Sequence, residues 1–458
     1  MFRSKILPAV ILVNGLIKSS GFLESRSVGG FKPSVLSNFE IEMHINDNRI
    51  NHRSFTTMVS DANFKPLSFE FTSADNIIFG SGSAERIPDI ASSMGCSSVL
   101  VITGQSGQTR HSDICTSLES KGLKCWNFVV SREPTISDIE EGSVLAREAG
   151  VDLVVGVGGG SVIDAGKAIS ALITNKEEVL HYLEVVGRGQ PLTENPVPYI
   201  AVPTTAGTGS EVTKNAVIKS EEHNIKASLR SAKMLPTVAI VDPLLTVGCP
   251  PSVTAHTGLD ALCQCIEPYV SGMANPFTDA LAKQGMASAA RSLRKAVIDG
   301  NDIRAREDMA LASVLGGLAL ANAKLGAVHG FAGVLGGMYE KAPHGAICAA
   351  LLPHAFTVNV QALTREVNSG KSEYQTYLDR HVEVAQIITG NINASAEDGA
   401  RWLQEIAKDL GIPSLAEIGM TPDDYDKAVE FSAKSSSMKG NPIELSTEEL
   451  LQILKAAV

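Results

Sequence analysis

Residues 151–167 read Val-Asp-Leu-Val-Val-Gly-Val-Gly-Gly-Gly-Ser-Val-Ile-Asp-Ala-Gly-Lys, and the chemistry they suggest is capture of an anion. An apolar run from Leu153 to Val157 stops at Gly158, Gly159, Gly160 and Ser161. Apolar residues then resume at helical spacing through Ile163, Ala165, Ala168 and Ile169, which predicts strand, tight turn and helix. Glycines let the backbone approach a ligand closely, and the free N–H groups at the helix start favour a pyrophosphate. The dinucleotide pattern G-x-G-x-x-G is incomplete, because Ser161 stands at its last glycine. A phosphate loop of the G-x-x-x-x-G-K-[ST] type is excluded by Ser161 and Ala168. Taken alone, the turn is either a nucleotide cradle or merely a tight turn.

The elements that must position this turn alternate strand and helix. Phe69–Ser73 and Asn76–Gly80 read as an opening hairpin, residues 84–94 as a short helix and Ser98–Thr103 as a buried strand. Trp126–Val130, a helix over 137–149, the glycine turn, Tyr199–Val202 and Thr237–Val241 follow. Parallel strands with crossover helices are the economical arrangement, with ligands at the carboxyl ends of the strands. From Pro251 onward the chain is alanine- and leucine-rich helix, as over 277–297, 303–323 and 400–410. The expected organisation is therefore a presequence and spacer over 1–65, an α/β dinucleotide-binding domain with a Rossmann-like parallel sheet over 66–250, and an all-helical domain over 251–458.

Five motifs come in a recognisable order. They are Gly158-Gly-Gly-Ser-x-x-Asp164-x-x-Lys167, Pro203-Thr-Thr-Ala-Gly-Thr-Gly-Ser-Glu211, Gly258-Leu-Asp-Ala-Leu-x-x-x-Ile-Glu267, Val328-His-Gly330 and Pro343-His-Gly345. In this the chain resembles the iron-containing (group III) alcohol dehydrogenases over roughly residues 68 to 458. The resemblance implies a cofactor site at Gly158, Gly159, Gly160, Ser161, Asp164, Thr204, Thr205 and Thr208, with NAD or NADP as the ligand. The segment Thr103-Gly104-Gln105-Ser106 carries no acid to bind ribose hydroxyls and Arg110 is near, so both nucleotides stay open.

The same resemblance implies a catalytic Fe2+ or Zn2+ held by an aspartate, a histidine one helical turn later, and two histidines from later helices. Here these places hold Asp260, Gln264, His329 and His344. Residues i and i+4 share a helix face, but the neutral amide of Gln264 is a weaker donor than imidazole. Many relatives also carry a proton-relaying histidine where this chain has Gly333. His256 is a candidate for a compensating role, although Gly258 argues against a continuous helix there and a capping or surface place suits it better. His354 reads as a core or helix-start residue, His111, His181 and His223 as solvated, and Lys226, ahead of a strand, as either facing the cleft or, more simply, a surface lysine.

The activity implied is reversible hydride transfer between a nicotinamide and a small alcohol or hydroxy acid, with Asp260, His329 and His344 at the reacting oxygen. Alternatives are a metal-independent enzyme like maleylacetate reductase, a hydroxyacid-oxoacid transhydrogenase, or a nucleotide-binding scaffold with weakened catalysis. Assembly as a homodimer or larger homo-oligomer is expected.

Composition narrows the rest. At 458 residues and a net charge of −11, the chain is acidic, which argues against nucleic-acid or anionic-membrane partners. Its seven scattered cysteines predict free thiols and a reducing compartment. Arg3, Lys5, Lys18, Arg26 and Lys32 surround the first acid, Glu24, in a serine-rich segment with an apolar run from Ile6 to Val13, which suits an organellar, mitochondrial presequence with a secretory signal as the rival.

Overall fold

The computed structural model describes residues 68–458 apart from 106, 108–111, 224 and 340; the presequence, the spacer, Arg110 and His111 lie outside the described residues. Six strands form one parallel sheet: β1 (Asn76–Phe79), β2 (Ser98–Thr103), β3 (Lys124–Val129), β4 (Leu153–Gly158), β5 (Tyr199–Pro203) and β8 (Val238–Val241). Their spatial order is β1-β8-β5-β4-β2-β3, all parallel. β2, β4, β5 and β8 are buried throughout, as expected where helices cover both faces. Alternate side chains feed two cores: Leu100, Ile102 and Val154 enter one face, Val99, Val101 and Val155 the other. The first face takes α3 (Ile136–Glu148) and α4 (Gly160–Thr174), the second α1 (Ile87–Ser93) and α2 (Ser112–Ser120). Between β5 and β8 an antiparallel hairpin, β6 (Asn215–Ser220) and β7 (Ile225–Arg230), forms a separate two-stranded sheet whose Ala216, Ile218, Ala227 and Leu229 join the core under α3 and α4, and a one-turn helix, α5 (Val179–Tyr182), precedes β5.

The chain leaves the centre of the sheet toward β3 on one side and toward β5, β8 and β1 on the other. That reversal lies between β2 and β4, where open α/β sheets bind ligands. The glycine turn closes β4 at this place.

After β8 the structure is helical. The long elements are α6 (Pro251–Val270), α7 (Pro276–Ile298), α8 (Ile303–Ala323), α9 (Ala327–Met338), α10 (His344–Asn368), α11 (Gln375–Thr389) and α12 (Ala396–Asp409). Three shorter ones follow, α13 (Leu415–Ile418), α14 (Tyr425–Ala433) and α15 (Thr447–Ala457). Caps fix their starts: Asn275 and Ser395 form capping boxes with Thr278 and Asp398, and Asp302 accepts the N–H of Ala305. α10 is long and apolar enough to cross a membrane, but 83% of that window is buried inside the protein. α8 also packs on the sheet edge, where Ala310, Val314 and Leu318 meet Ala239 and Val241.

Four expectations need correction. The opening hairpin does not form: β1 pairs in parallel with β8, while Phe69 and Phe71 pack edge-on against Phe277 and Thr72 bonds to Asn322. α6 runs unbroken through Gly258, whose missing side chain admits Leu293 from α7. Cys115 and Cys125 are joined by a disulfide between α2 and β3, whereas the scattered spacing predicted free thiols throughout. Lys226 lies within β7, mostly buried and 3.5 Å from Glu133.

Candidate active site

The cofactor side is built by close approaches at the turn. A Cβ on Gly158 would lie 2.6 Å from Val162, and one on Gly160 2.8 Å from Thr208, so both positions need glycine. Thr204 N–H donates to the Gly158 carbonyl at 2.9 Å, which clamps the Pro203–Glu211 segment beside the turn. Gly159 caps α4 without any side chain, leaving the helix start to an external anion. Gly159 lies against Thr205 and Gly160 against Thr208 at the start of α4, and the residues present fit a dinucleotide pyrophosphate.

Asp164 is not part of that surface. Its Oδ1 accepts from Ser210 Oγ and pairs with Lys167 Nζ at 3.0 Å, and its Oδ2 accepts the N–H of Val217 at 2.9 Å. The expectation of direct cofactor contact is corrected to an internal latch, because one helical turn points this carboxylate at the loop rather than at the helix start. Lys167 is fully buried and also donates to Ser210 O and to Thr213 Oγ1. Burial lowers its affinity for a proton, and the Asp164 charge opposes this. Glu211, in the same pocket, is pushed by burial up to about 7.

The second side lies on α6, α9 and α10. Asp260 Oδ1 is 3.3 Å from His329 Nε2, and the rings of His329 and His344 are 5.6 Å apart. Cys348, one turn after His344, joins them, so that ligand atoms of Asp260, His329, His344 and Cys348 all lie within 4.8 Å of one another. Asp260 Oδ1 and Gln264 Oε1 are buried without a hydrogen bond of normal geometry. An unpartnered buried amide oxygen and a buried carboxylate gathered with two imidazoles and a thiol form a donor set that fits a divalent metal. Burial works against the Asp260 charge, yet His329 and His344 hold its carboxyl at about 2.

Glu267 orients this group. Its Oε2 faces His329 Nδ1 at 2.7 Å, while its Oε1 accepts the Val328 N–H at 2.7 Å and so caps α9. A carboxylate only accepts, so Nδ1 carries a proton; with a cation in the cluster, Nε2 would give up its proton and present its lone pair. Gly326 admits the carboxylate, since a Cβ there would lie 2.9 Å from Glu267 Oε1. Similarly, Gly345 lets α10 abut α6 at the His256 carbonyl, which brings His344 to Asp260.

The structure brings Asp260, His329 and His344 within reach of one another, with Gln264 one turn after Asp260 on α6. Sequence reasoning missed Cys348 and Glu267. The i+4 spacing from His344 was the available signal for the cysteine; nothing local signalled the role of Glu267, which depends on the crossing of α6 and α9. His256 lies inside α6, half-buried, and neither caps the helix nor belongs to the cluster. His354 is likewise inside α10, His181 stacks edge-on against Tyr182, and His223 bonds to Ser220. Gly333 is exposed, with nothing within 4 Å of where a side chain would start.

The two sides adjoin. Gly207, between Thr205 and Thr208, packs so closely on α6 that a Cβ would lie 2.6 Å from Thr257, less than one turn before Asp260. The segment that flanks the glycine turn therefore abuts the helix that carries Asp260.

Comparison with known proteins agrees with this geometry. Residues 74–243 match the family described as iron-containing alcohol dehydrogenase, and residues 254–458 its C-terminal counterpart. The 1,3-propanediol dehydrogenase of Klebsiella pneumoniae is 36% identical over 334 residues, covering 72% of this chain and 81% of that protein. The NAD-dependent methanol dehydrogenase of Bacillus methanolicus is 32% identical over 392 residues, covering 83% and 97%. A crystal structure of a 1,3-propanediol oxidoreductase superposes with a TM-score of 0.78 at 32% identity, covering 86% of this chain and all of that one. The chain belongs to the iron-containing alcohol dehydrogenase family and is an oxidoreductase that interconverts an alcohol and its carbonyl compound with a nicotinamide cofactor.

Proposed function

We propose that the protein acts on a small alcohol or its aldehyde with NAD, the dinucleotide lying on the β4–α4 turn and the reacting oxygen at the Asp260, His329, His344 cluster. The observation that carries this reading is the Gly207–Thr257 contact, which sets the anion cradle beside the donor cluster. When bound, the nicotinamide gives or accepts a hydride and the cation supplies Lewis acidity at the substrate oxygen. The chain's own residues do the rest. Gly159 and Gly160 offer backbone N–H groups to the phosphates, Thr205 and Thr208 offer hydroxyls, and the Asp164–Lys167–Ser210 latch holds the loop that carries them. Glu267 holds His329 in the tautomer that keeps Nε2 available. With Gly333 exposed on α9, the proton of the alcohol exchanges with water directly. The basic, serine-rich segment before residue 33 supports a mitochondrial place of action, which a fluorescent fusion of the full chain would test.

The test is nicotinamide absorbance with a panel of small alcohols and aldehydes, for the wild type and Gly160→Val. The variant side chain runs into Thr208, so dinucleotide binding and turnover should both be lost while metal content stays. Turnover that persists in Gly160→Val would sink the placement. A metal-independent reaction is favoured by one feature, the amide of Gln264 at a ligand position; turnover unaffected by a strong chelator would support that reading instead.

A further inference from the structure

We propose that the sulfur of Cys348 is the fourth protein donor of the cation site, standing in for the imidazole that Gln264 replaces, and that the site therefore prefers Zn2+ to Fe2+. This rests on the reading above that the cluster holds a cation.

The geometry is specific. Cys348 Sγ lies 3.5 Å from His344 Nε2 and 3.9 Å from His329 Nε2, and His329 Nε2 lies 3.3 Å from Asp260 Oδ1. A tetrahedral ion with bonds of about 2.0 to 2.3 Å needs donors separated by roughly 3.3 to 3.8 Å. The observed spacings are those of donors around one centre. His344 and Cys348 are one turn apart on α10, the spacing that lets two side chains converge.

Competing sulfur and oxygen atoms fit less well. Cys263 Sγ is near His329 Nδ1, at 3.8 Å, which is the nitrogen already bonded to Glu267; it therefore lies on the far side of the ring. Cys265 Sγ instead faces the Ala312 carbonyl at 3.6 Å. Gln264 offers a neutral oxygen. With Gln264 as fourth donor, Asp260 alone would offset a divalent ion in a buried site, leaving a net positive charge. A Cys348 thiolate brings the set to neutrality, which a site removed from water favours. Thiolate donors select zinc over harder ions, and zinc is already ahead of ferrous iron with nitrogen and oxygen donors.

The experiment uses the full chain, stripped of metal and reloaded with Co2+, read by absorption rather than turnover. Wild type should show an intense near-ultraviolet thiolate-to-cobalt band together with visible ligand-field bands. Cys348→Ser should keep the ligand-field bands and the circular dichroism of the folded protein but lose the thiolate band, and Cys263→Ser should keep both. Competition between Zn2+ and Fe2+, followed by elemental analysis, should favour zinc in wild type, with the preference falling about tenfold or more in Cys348→Ser. Ligand-field bands without a thiolate band in wild type would overturn the assignment of Cys348 while leaving the cation site intact. Failure to bind cobalt at all would overturn the cation site and this inference together.

Discussion

Glu267 and His329 share a 2.7 Å hydrogen bond at the start of α9, and the same carboxylate accepts the N–H of Val328. One side chain thus caps the helix and fixes the tautomer of a candidate metal ligand. Glu267→Gln keeps the shape but has only one accepting oxygen, so one of the two bonds fails. Metal retention should fall by about 10- to 100-fold, measured by competition with a chelator. The helix cap should lose roughly 1 kcal/mol, seen in denaturant unfolding of the metal-free protein. Unchanged retention would mean that His329 needs no help from this carboxylate.

Lys167 is a fully buried cation held by Asp164, Ser210 and Thr213. Lys167→Met removes the charge at similar volume and strands Asp164 and Glu211 in a pocket closed to water. Unfolding free energy should drop by about 3 to 5 kcal/mol, as breaking a buried ion pair does. The Michaelis constant for the dinucleotide should rise as the Thr208–Ser210 loop loosens. A loss below about 1 kcal/mol would show the latch to be dispensable.

Glu211 gives a pH signature. Its carboxyl ionises near its ordinary 4.5 when unfolded and near about 7 when folded, because burial disfavours the charge. Between these values the folded state binds more protons, so its stabilising contribution is complete below about 4.5 and declines as pH rises through about 7. Wild type should lose on the order of 3 kcal/mol across that window relative to Glu211→Gln. Unfolding curves for both proteins at several pH values check the difference, and parallel pH dependences would refute it.

Gly333 is exposed within the mostly buried α9, with empty space where a side chain would start. Gly333→Ala should stabilise the fold by about 0.5 to 1 kcal/mol through helix propensity. Gly333→His should fold as well and add a proton acceptor, so the pH profile of kcat should gain an inflection near about 6.5. A profile identical to wild type would show that the proton does not leave along this face.

Much of the site was legible in the residue order because its parts are local. Gly158 to Ser161 must be a turn, since no other residues let Val162 and Thr208 come so close. Asp260 and Gln264 share a face because one helical turn separates them. The same rule applied to His344 and Cys348 would have found the sulfur, but a cysteine among apolar neighbours reads as core. Asp164 shows the opposite limit: spacing puts it on the turn's helix, and only the folded loop reveals that its carboxylate faces Ser210 and Val217 instead of a ligand.

From its order of residues alone, this chain determined a strand, a tight glycine turn and a helix, an alternating α/β half and a helical half, because each depends on contacts within a few residues; the phosphate role and the donors Asp260, His329 and His344 were implied only by the resemblance its motifs carry. Tertiary structure alone decided that Gly207 packs on Thr257, that Glu267 of α6 reaches His329 of α9, that Cys115 meets Cys125 across α2 and β3, and that β1 pairs with β8 across more than 150 residues. Those relations depend on how close two helices or strands approach. That is set by side-chain volume and glycine placement on both partners at once, which no single stretch of sequence contains.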